Sequence, residues 1–107
     1  MLRTAALLVL LPVAGGSAGA AKGGPRTHTV TMDQVRFGAV AAGLKVGDTV
    51  VWDNRDIVPH TATARDGSFD VVIAPGHSAR TVMRRAGTIA FYCRYHPDMT
   101  GRLVVAR

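Results

Sequence analysis

A succession of short alternating runs, each closed by a turn signal, limits what this chain can fold into. HTVTM at residues 28 to 32, Thr49 to Trp52 after the Gly47-Asp48 turn of KVGDTVVWDN, and HTATA from His60 follow a period of two or are nearly all apolar. ARTVM after the Pro75-Gly76 turn, GTIAFYC and the closing GRLVVAR continue the pattern. No stretch of useful length combines a helical period with caps, although the loop from Arg65 to Val72 has room for a short turn. Short strands at such close intervals predict an all-β protein, a β-sandwich or small barrel of about seven to eight strands. Alternation assigns Val30, Val50, Trp52, Phe69, Ile73, Val82, Ile89, Phe91, Leu103 and Val105 to the inward faces. Met32 and Met83 read as core, and Trp52 as a packing residue before an electron relay.

The first residues follow a different logic. MLRTAALLVLLPVAGGSAGA has a basic start at Arg3, an apolar run from Ala5 to Leu11 and small residues at its end, the layout of a secretory signal peptide over residues 1–20. Its apolar stretch is too short for a stable bilayer span, and Pro12 interrupts it, which disfavours an uncleaved anchor. Removal leaves about 86 residues, one small domain over 21–107 with a flexible leader at 21–26. No later segment is apolar for long enough to cross a membrane as a helix, so the expected location is periplasmic or secreted.

Of thirteen basic residues Arg3 leaves with the signal, and twelve against seven aspartates keep about +5 of formal charge. Such a surface attracts acidic partners and anionic membranes. The basic residues are scattered, with Arg84-Arg85 the sole adjacent pair, and lack interleaved aromatics, which excludes a nucleic-acid module.

Cys93 is the single cysteine, so no internal disulfide forms, and in an oxidising compartment its thiol needs burial, an external partner or a metal. The stretch FYCRYHPDMTGRLVV sets Cys93, His96 and Met99 three residues apart in one loop between strands. Thiolate, imidazole and thioether together suit copper, and two histidines, a cysteine and a weak axial methionine form the blue-copper electron-transfer site. His60 is the candidate second histidine, because Pro59-His60 opens a strand directly after the DNRDIVP loop.

Other chemistries fit less well. A c-type haem needs a cysteine pair before its histidine. Structural zinc takes four Cys or His ligands and does not select methionine. A Cys-His nucleophile would need a catalytic spacing and an oxyanion donor, neither of which is present in the sequence. By chance alone, Met99 would be core filling and His96 a surface histidine. His28 and His77 read as surface residues outside the site.

The pattern Cys93-x-x-His96-x-x-Met99-x-Gly101, with KVGDTVVWDNRD, PHTATA, the Pro-Gly turn and GTIAFYC, resembles the cupredoxin family over nearly all of the chain after the signal. The short spacing on both sides of His96 is similar to that of the amicyanins. Plastocyanins and pseudoazurins place more residues between histidine and methionine. The resemblance implies a Greek-key β-sandwich and one copper ion per chain, with His60, Cys93 and His96 as strong ligands and Met99 as the long axial one. It further implies that Asn54 ties the two ligand loops together beside the cysteine sulfur, and that Pro97 stiffens the turn behind His96.

The implied function is transport of single electrons between Cu(I) and Cu(II), without a substrate and therefore without enzyme activity. The implied partners are a redox donor and acceptor, a c-type cytochrome or a dehydrogenase, which dock transiently on a monomer. An apolar patch at Tyr95, Pro97, Val58 and Pro59, rimmed by Arg94 and Arg55, would expose the edge of His96 to them. The alternative from another class is a periplasmic carrier or chaperone that delivers Cu(I), and no methionine cluster flanks Met99 to favour it.

Overall fold

The computed structural model describes residues 23–107, so the expected signal segment and the first leader residues lie outside the described residues. The described residues contain eight strands and no helix. In chain order these are β1 (Thr27–Asp33), β2 (Arg36–Phe37), β3 (Thr49–Asn54), β4 (His60–Ala64), β5 (Asp70–Ile73), β6 (Ser78–Val82), β7 (Gly87–Tyr92) and β8 (Thr100–Val105). They form two four-stranded sheets in the orders β2-β1-β3-β6 and β5-β4-β7-β8, the expected all-β sandwich. β1 and β3 run parallel, Thr27 opposite Thr49 through Met32 opposite Asn54, and the other pairings are antiparallel.

The core lies between the sheets around Trp52 and Phe91, both fully buried with ring centroids 5.1 Å apart. Phe37 meets Phe91 edge-on at 4.7 Å, and Phe69 lies 5.7 Å from Trp52. Each such pair contributes about 0.5–1.5 kcal/mol beyond its buried area. Phe91 faces Gly101 across β7 and β8, and a Cβ on Gly101 would overlap the Phe91 ring. Glycine is needed there for space, because the Phe91 ring lies over the position a Cβ would take.

Eight of the ten expected inward residues are buried, and Phe69 is partly buried against them. Val82 is the exception, 43% exposed. The register explains it: inward Val50 and Trp52 pair with Thr81 and Ala79, so Val82, opposite Thr49, points outward. A one-residue change of phase moves every side chain of a strand to its other face. Thr81 instead accepts the Trp52 Nε1–H at 2.9 Å, and Met83, just past the strand, fills the core as expected.

Two further differences arise at the edges. The segment from Arg65 to Val72, read as a loop with room for a short turn, gives way to β5 from Asp70 onward, paired with β4, because DVVI supplies β-branched residues beside an open sheet edge. His28 is not a surface residue: its side chain is 10% exposed and its Nε2 lies 3.0 Å from Asp48 Oδ2. It shares a strand face with inward Val30 and Met32, two and four residues on. Asp48 also accepts the backbone N–H groups of Arg26 at 2.8 Å and Lys45 at 2.9 Å, and these bonds hold its carboxyl at about 2, although burial opposes them.

Candidate metal centre

The site forms where the β4–β7 ladder stops. Pairing between these strands covers only Thr63 with Tyr92 and Ala64 with Phe91. Past Thr63 the two chains diverge, and the Cys93 sulfur enters the gap. There it accepts the Thr61 backbone N–H at 3.3 Å, a donor that a continued ladder would have used.

Loop 93–99 consists of two successive β-turns. The His96 N–H donates to Cys93 O at 3.3 Å, the Met99 N–H to His96 O at 2.8 Å, and the Cys93 N–H closes the base on Met99 O at 3.0 Å. The three-residue spacing seen in the sequence is thus the first-to-fourth span of a turn. Pro97 takes the second position of the second turn, where its fixed φ is favoured and its missing N–H is not required.

These turns bring His60, Cys93 and His96 together. Cys93 Sγ lies 3.8 Å from His60 Nδ1 and 3.7 Å from His96 Nδ1, and the three atoms lie within 4.8 Å of one another. The imidazoles meet edge-to-face with centroids 5.1 Å apart. Cys93 and His60 are fully buried, Met99 is 4% exposed, and His96 is half-buried. Burial raises the Cys93 thiol pKa, but the Thr61 N–H, the two imidazoles and the Tyr95 N–H outweigh it and bring the thiol down to about 6. At neutral pH the sulfur is largely a thiolate, the form that binds metals.

His60 is oriented from behind. Its Nε2 lies 2.7 Å from Asp56 Oδ2, so Nε2 carries the proton and Nδ1 presents a lone pair toward the sulfur. Asp56 also accepts the N–H of Gln34 at 2.7 Å and of Val35 at 2.9 Å. Burial pushes the Asp56 carboxyl up, and the bonds from His60, Val35 and Gln34 outweigh it, leaving its pKa lowered. Gln34 and Val35 form the two-residue turn between β1 and β2 with φ of 55° and 57°. Left-handed backbone is unfavourable for a β-branched valine, and the two bonds to Asp56 stabilise it.

Asn54 is buried beside the centre, but it does not join the two ligand loops. Its amide donates to Val58 O at 2.9 Å and Ile73 O at 3.0 Å, and its Oδ1 accepts the Asp56 N–H at 2.9 Å. Asn54 thereby fixes the loop between β3 and β4 against the end of β5. The tie to the other ligand loop is made by Thr61, whose Oγ1 accepts the Arg94 N–H at 2.8 Å. Sequence reading passed over Thr61 and Asp56. A carboxylate four residues before a candidate ligand was the available signal for Asp56.

The three ligand atoms fit a metal. Their separations match one ion held trigonally by bonds of about 2.0–2.3 Å, and a thiolate with two imidazoles is a donor set for a soft or borderline ion. His28 and His77 stand apart from this group, His77 exposed with its Nδ1 2.9 Å from Pro75 O.

A β-sandwich that closes a thiolate between two imidazoles at one end defines a metal-binding β-domain. The chain belongs to the cupredoxin-like domain family, which matches residues 4–105. It is 29% identical over 82 residues to an amicyanin of Paracoccus denitrificans, covering 71% of this chain and 63% of that protein. An amicyanin of Paracoccus versutus is 22% identical over 82 residues, covering 71% and 62%. The chain thus spans somewhat less than two thirds of these relatives. The Cu(I) form of a methionine-to-alanine amicyanin variant superposes with a TM-score of 0.66 at 27% identity, over 80% of this chain and 88% of that one. The reduced state of a proline-to-phenylalanine variant gives 0.65 at 27% identity, over the same shares. Fold, family and the His-Cys-His group together assign the centre to one copper ion per chain.

Proposed function

We propose that this protein is an exported blue-copper electron carrier in which His60, Cys93 and His96 would hold the copper, with Met99 as a fourth, weaker ligand. Bound copper supplies a one-electron Cu(I)/Cu(II) couple. The observation that carries the reading is the buried Cys93 sulfur between two imidazole Nδ1 atoms at 3.7 and 3.8 Å, one of them fixed by Asp56. The work of the chain is to keep that set unchanged in both oxidation states. Two β-turns with Pro97 hold Cys93, His96 and Met99, the Asp56 carboxylate fixes the His60 ring, and the flanking strands exclude water from the sulfur. Burial of Cys93 and His60 disfavours the open, exchangeable site that a Cu(I)-delivering chaperone requires.

Electrons pass through His96, the one ligand residue partly exposed. Beside it Tyr95 at 48% exposure, Pro97 and Val35 at 41% line one open cavity, and the loop leading into His60 carries exposed Ile57 and Pro59. An exposed apolar surface of this kind suits transient docking of a redox protein, a c-type cytochrome or a dehydrogenase. The two expected rim cations are already engaged, Arg94 with Asp70 and Arg55 with Asp53, each at 3.1 Å. Their long-range steering of an acidic partner is correspondingly reduced. Export through residues 1–20 places the monomeric carrier in the periplasm or outside the cell.

One spectrum tests this reading. The purified domain with one equivalent of Cu(II) is expected to show an intense copper-thiolate band near about 600 nm, bleached reversibly by a mild reductant and lost in Cys93→Ser. A colourless protein that takes up Cu(I) and refuses Cu(II) would establish the chaperone reading instead.

A further inference from the structure

Next to the centre, on the outer face of the β5-β4-β7-β8 sheet, four residues close a ring of hydrogen bonds. The Arg94 N–H donates to Thr61 Oγ1 at 2.8 Å, Thr61 Oγ1 and Thr63 Oγ1 are 2.9 Å apart, Thr63 Oγ1 donates to Asp70 Oδ1 at 2.8 Å, and Arg94 Nε donates to the same oxygen at 3.1 Å. The direction around the ring is fixed by counting hydrogens. An ionised carboxylate only accepts, so the one hydroxyl hydrogen of Thr63 points at Asp70. The Thr61 hydroxyl must then donate to Thr63, which leaves its oxygen free to receive the Arg94 N–H.

The ring is unusual in its placement. Thr61 is fully buried and Thr63 8% exposed, although their hydroxyls lie on the outer side of the sandwich. Arg94 folds back across them to reach Asp70, and Arg94 is bonded through its peptide to Cys93. Thr61 is therefore held at two points by the same loop: its hydroxyl lies under the Arg94 N–H, and its own N–H lies on the Cys93 sulfur at 3.3 Å. No strand pairing fixes this N–H on the β7 side, because that ladder begins only at Thr63. Pairing with Val72 of β5 holds Thr61 from one side, and on the β7 side the ring takes the place of the missing ladder. Each donor in the chain polarises the next, and a carboxylate at the end strengthens the whole series.

We propose that Thr61, Thr63, Asp70 and Arg94 act as a positioning circuit that holds the Thr61 N–H against the Cys93 sulfur and thereby sets the reduction potential of the bound copper. An N–H directed at a thiolate withdraws electron density from it and favours the reduced metal. Breaking the ring lets the N–H withdraw, strengthens the sulfur's donation and lowers the potential. Asp70 and Thr63 thus act on the metal without touching it. The copper part of this inference rests on the proposed electron-carrier reading, whereas the ring itself does not.

The experiment separates the two. In the copper-free protein, amide hydrogen exchange at Thr61 and Arg94 is followed by NMR in the parent, Thr63→Val, Thr63→Ser and Asp70→Ala chains. Asp70 is 53% exposed at its side chain, so its replacement leaves the core untouched should Thr63→Val fail to fold. The expected result is exchange at both amides faster by at least tenfold in Thr63→Val and Asp70→Ala, unchanged at Val30 and Trp52 in the other sheet, and restored in Thr63→Ser. In the copper-loaded proteins the potential is expected to fall in Thr63→Val and Asp70→Ala and to return in Thr63→Ser, with the copper-thiolate band shifting in step. Unchanged exchange overturns the ring. Faster exchange with an unchanged potential overturns its role at the copper, and leaves the threonines as packing. Should the parent itself show no copper-thiolate band, the carrier reading falls while the exchange result still decides the ring.

Discussion

Asp56 Oδ2 lies 2.7 Å from His60 Nε2, and through the same carboxylate it caps the N–H groups of Gln34 and Val35. One side chain therefore serves two ends: it selects the tautomer of a ligand and stabilises a left-handed turn at a valine. Asp56→Ala removes both. Copper affinity is expected to drop by about 10–100-fold, the usual effect of losing a partner that orients a ligand, as read by competition with a Cu(I) chelator. Stability of the copper-free protein should also fall by about 0.5–1.5 kcal/mol for the lost bonds to the exposed turn amides. A variant with unaltered copper affinity would show that His60 needs no support.

Gly101 and Phe91 make the second test, one of packing alone. In Gly101→Ala the new methyl overlaps the Phe91 ring, and that ring cannot withdraw because Trp52 and Phe37 contact it at 5.1 and 4.7 Å. Overpacking of this kind costs about 1–3 kcal/mol. Urea unfolding of the copper-free variant checks it, and equal midpoints for parent and variant would mean that the strands can move apart at no cost.

The strands and the ligand loop were legible because they depend on local pattern. Period two assigned eight core residues correctly, and the spacing of Cys93, His96 and Met99 turned out to be the span of two β-turns. Legibility ended where partners are distant in the chain. Whether Val82 or Thr81 faces inward depends on register against β3, and the burial of His28 depends on Asp48, twenty residues away. Thr61 reads as an ordinary strand threonine, and its place at the sulfur exists only because the β4–β7 ladder stops at Thr63. Asn54 was expected to tie the two ligand loops, but its amide donates to Val58 O and to Ile73 O at the end of β5. With Arg94 following the cysteine, the tie between loops passes through that residue's backbone N–H to a β4 hydroxyl.

Asp48 should make the fold acid-sensitive in a defined window. Its carboxyl titrates at about 2 in the folded protein, against about 3.9 in an unfolded chain. The unfolded state therefore binds a proton first as pH falls, so the stabilisation is complete above about pH 4 and is lost progressively toward pH 2. Asp56, Asp66 and Asp70 are shifted in the same direction and add to this slope. In Asp48→Asn, the pH dependence of the urea midpoint between pH 4 and 2 is expected to be shallower than in the parent. An identical slope would move the acid sensitivity to the other carboxylates.

Ile57 separates docking from structure. It is 92% exposed on the loop that leads into His60, three residues ahead of that histidine, so it makes almost no contribution to the core. Ile57→Asp should leave unfolding within about 0.5 kcal/mol of the parent and the copper spectrum unchanged. If electrons leave through the apolar rim at His96, two molecules must bring those rims together to exchange an electron. A desolvated carboxylate at that contact would cost on the order of 1.4 kcal/mol, which is about tenfold in rate. NMR line broadening in mixtures of oxidised and reduced protein measures self-exchange directly, and a rate equal to the parent's would move the electron port away from this face.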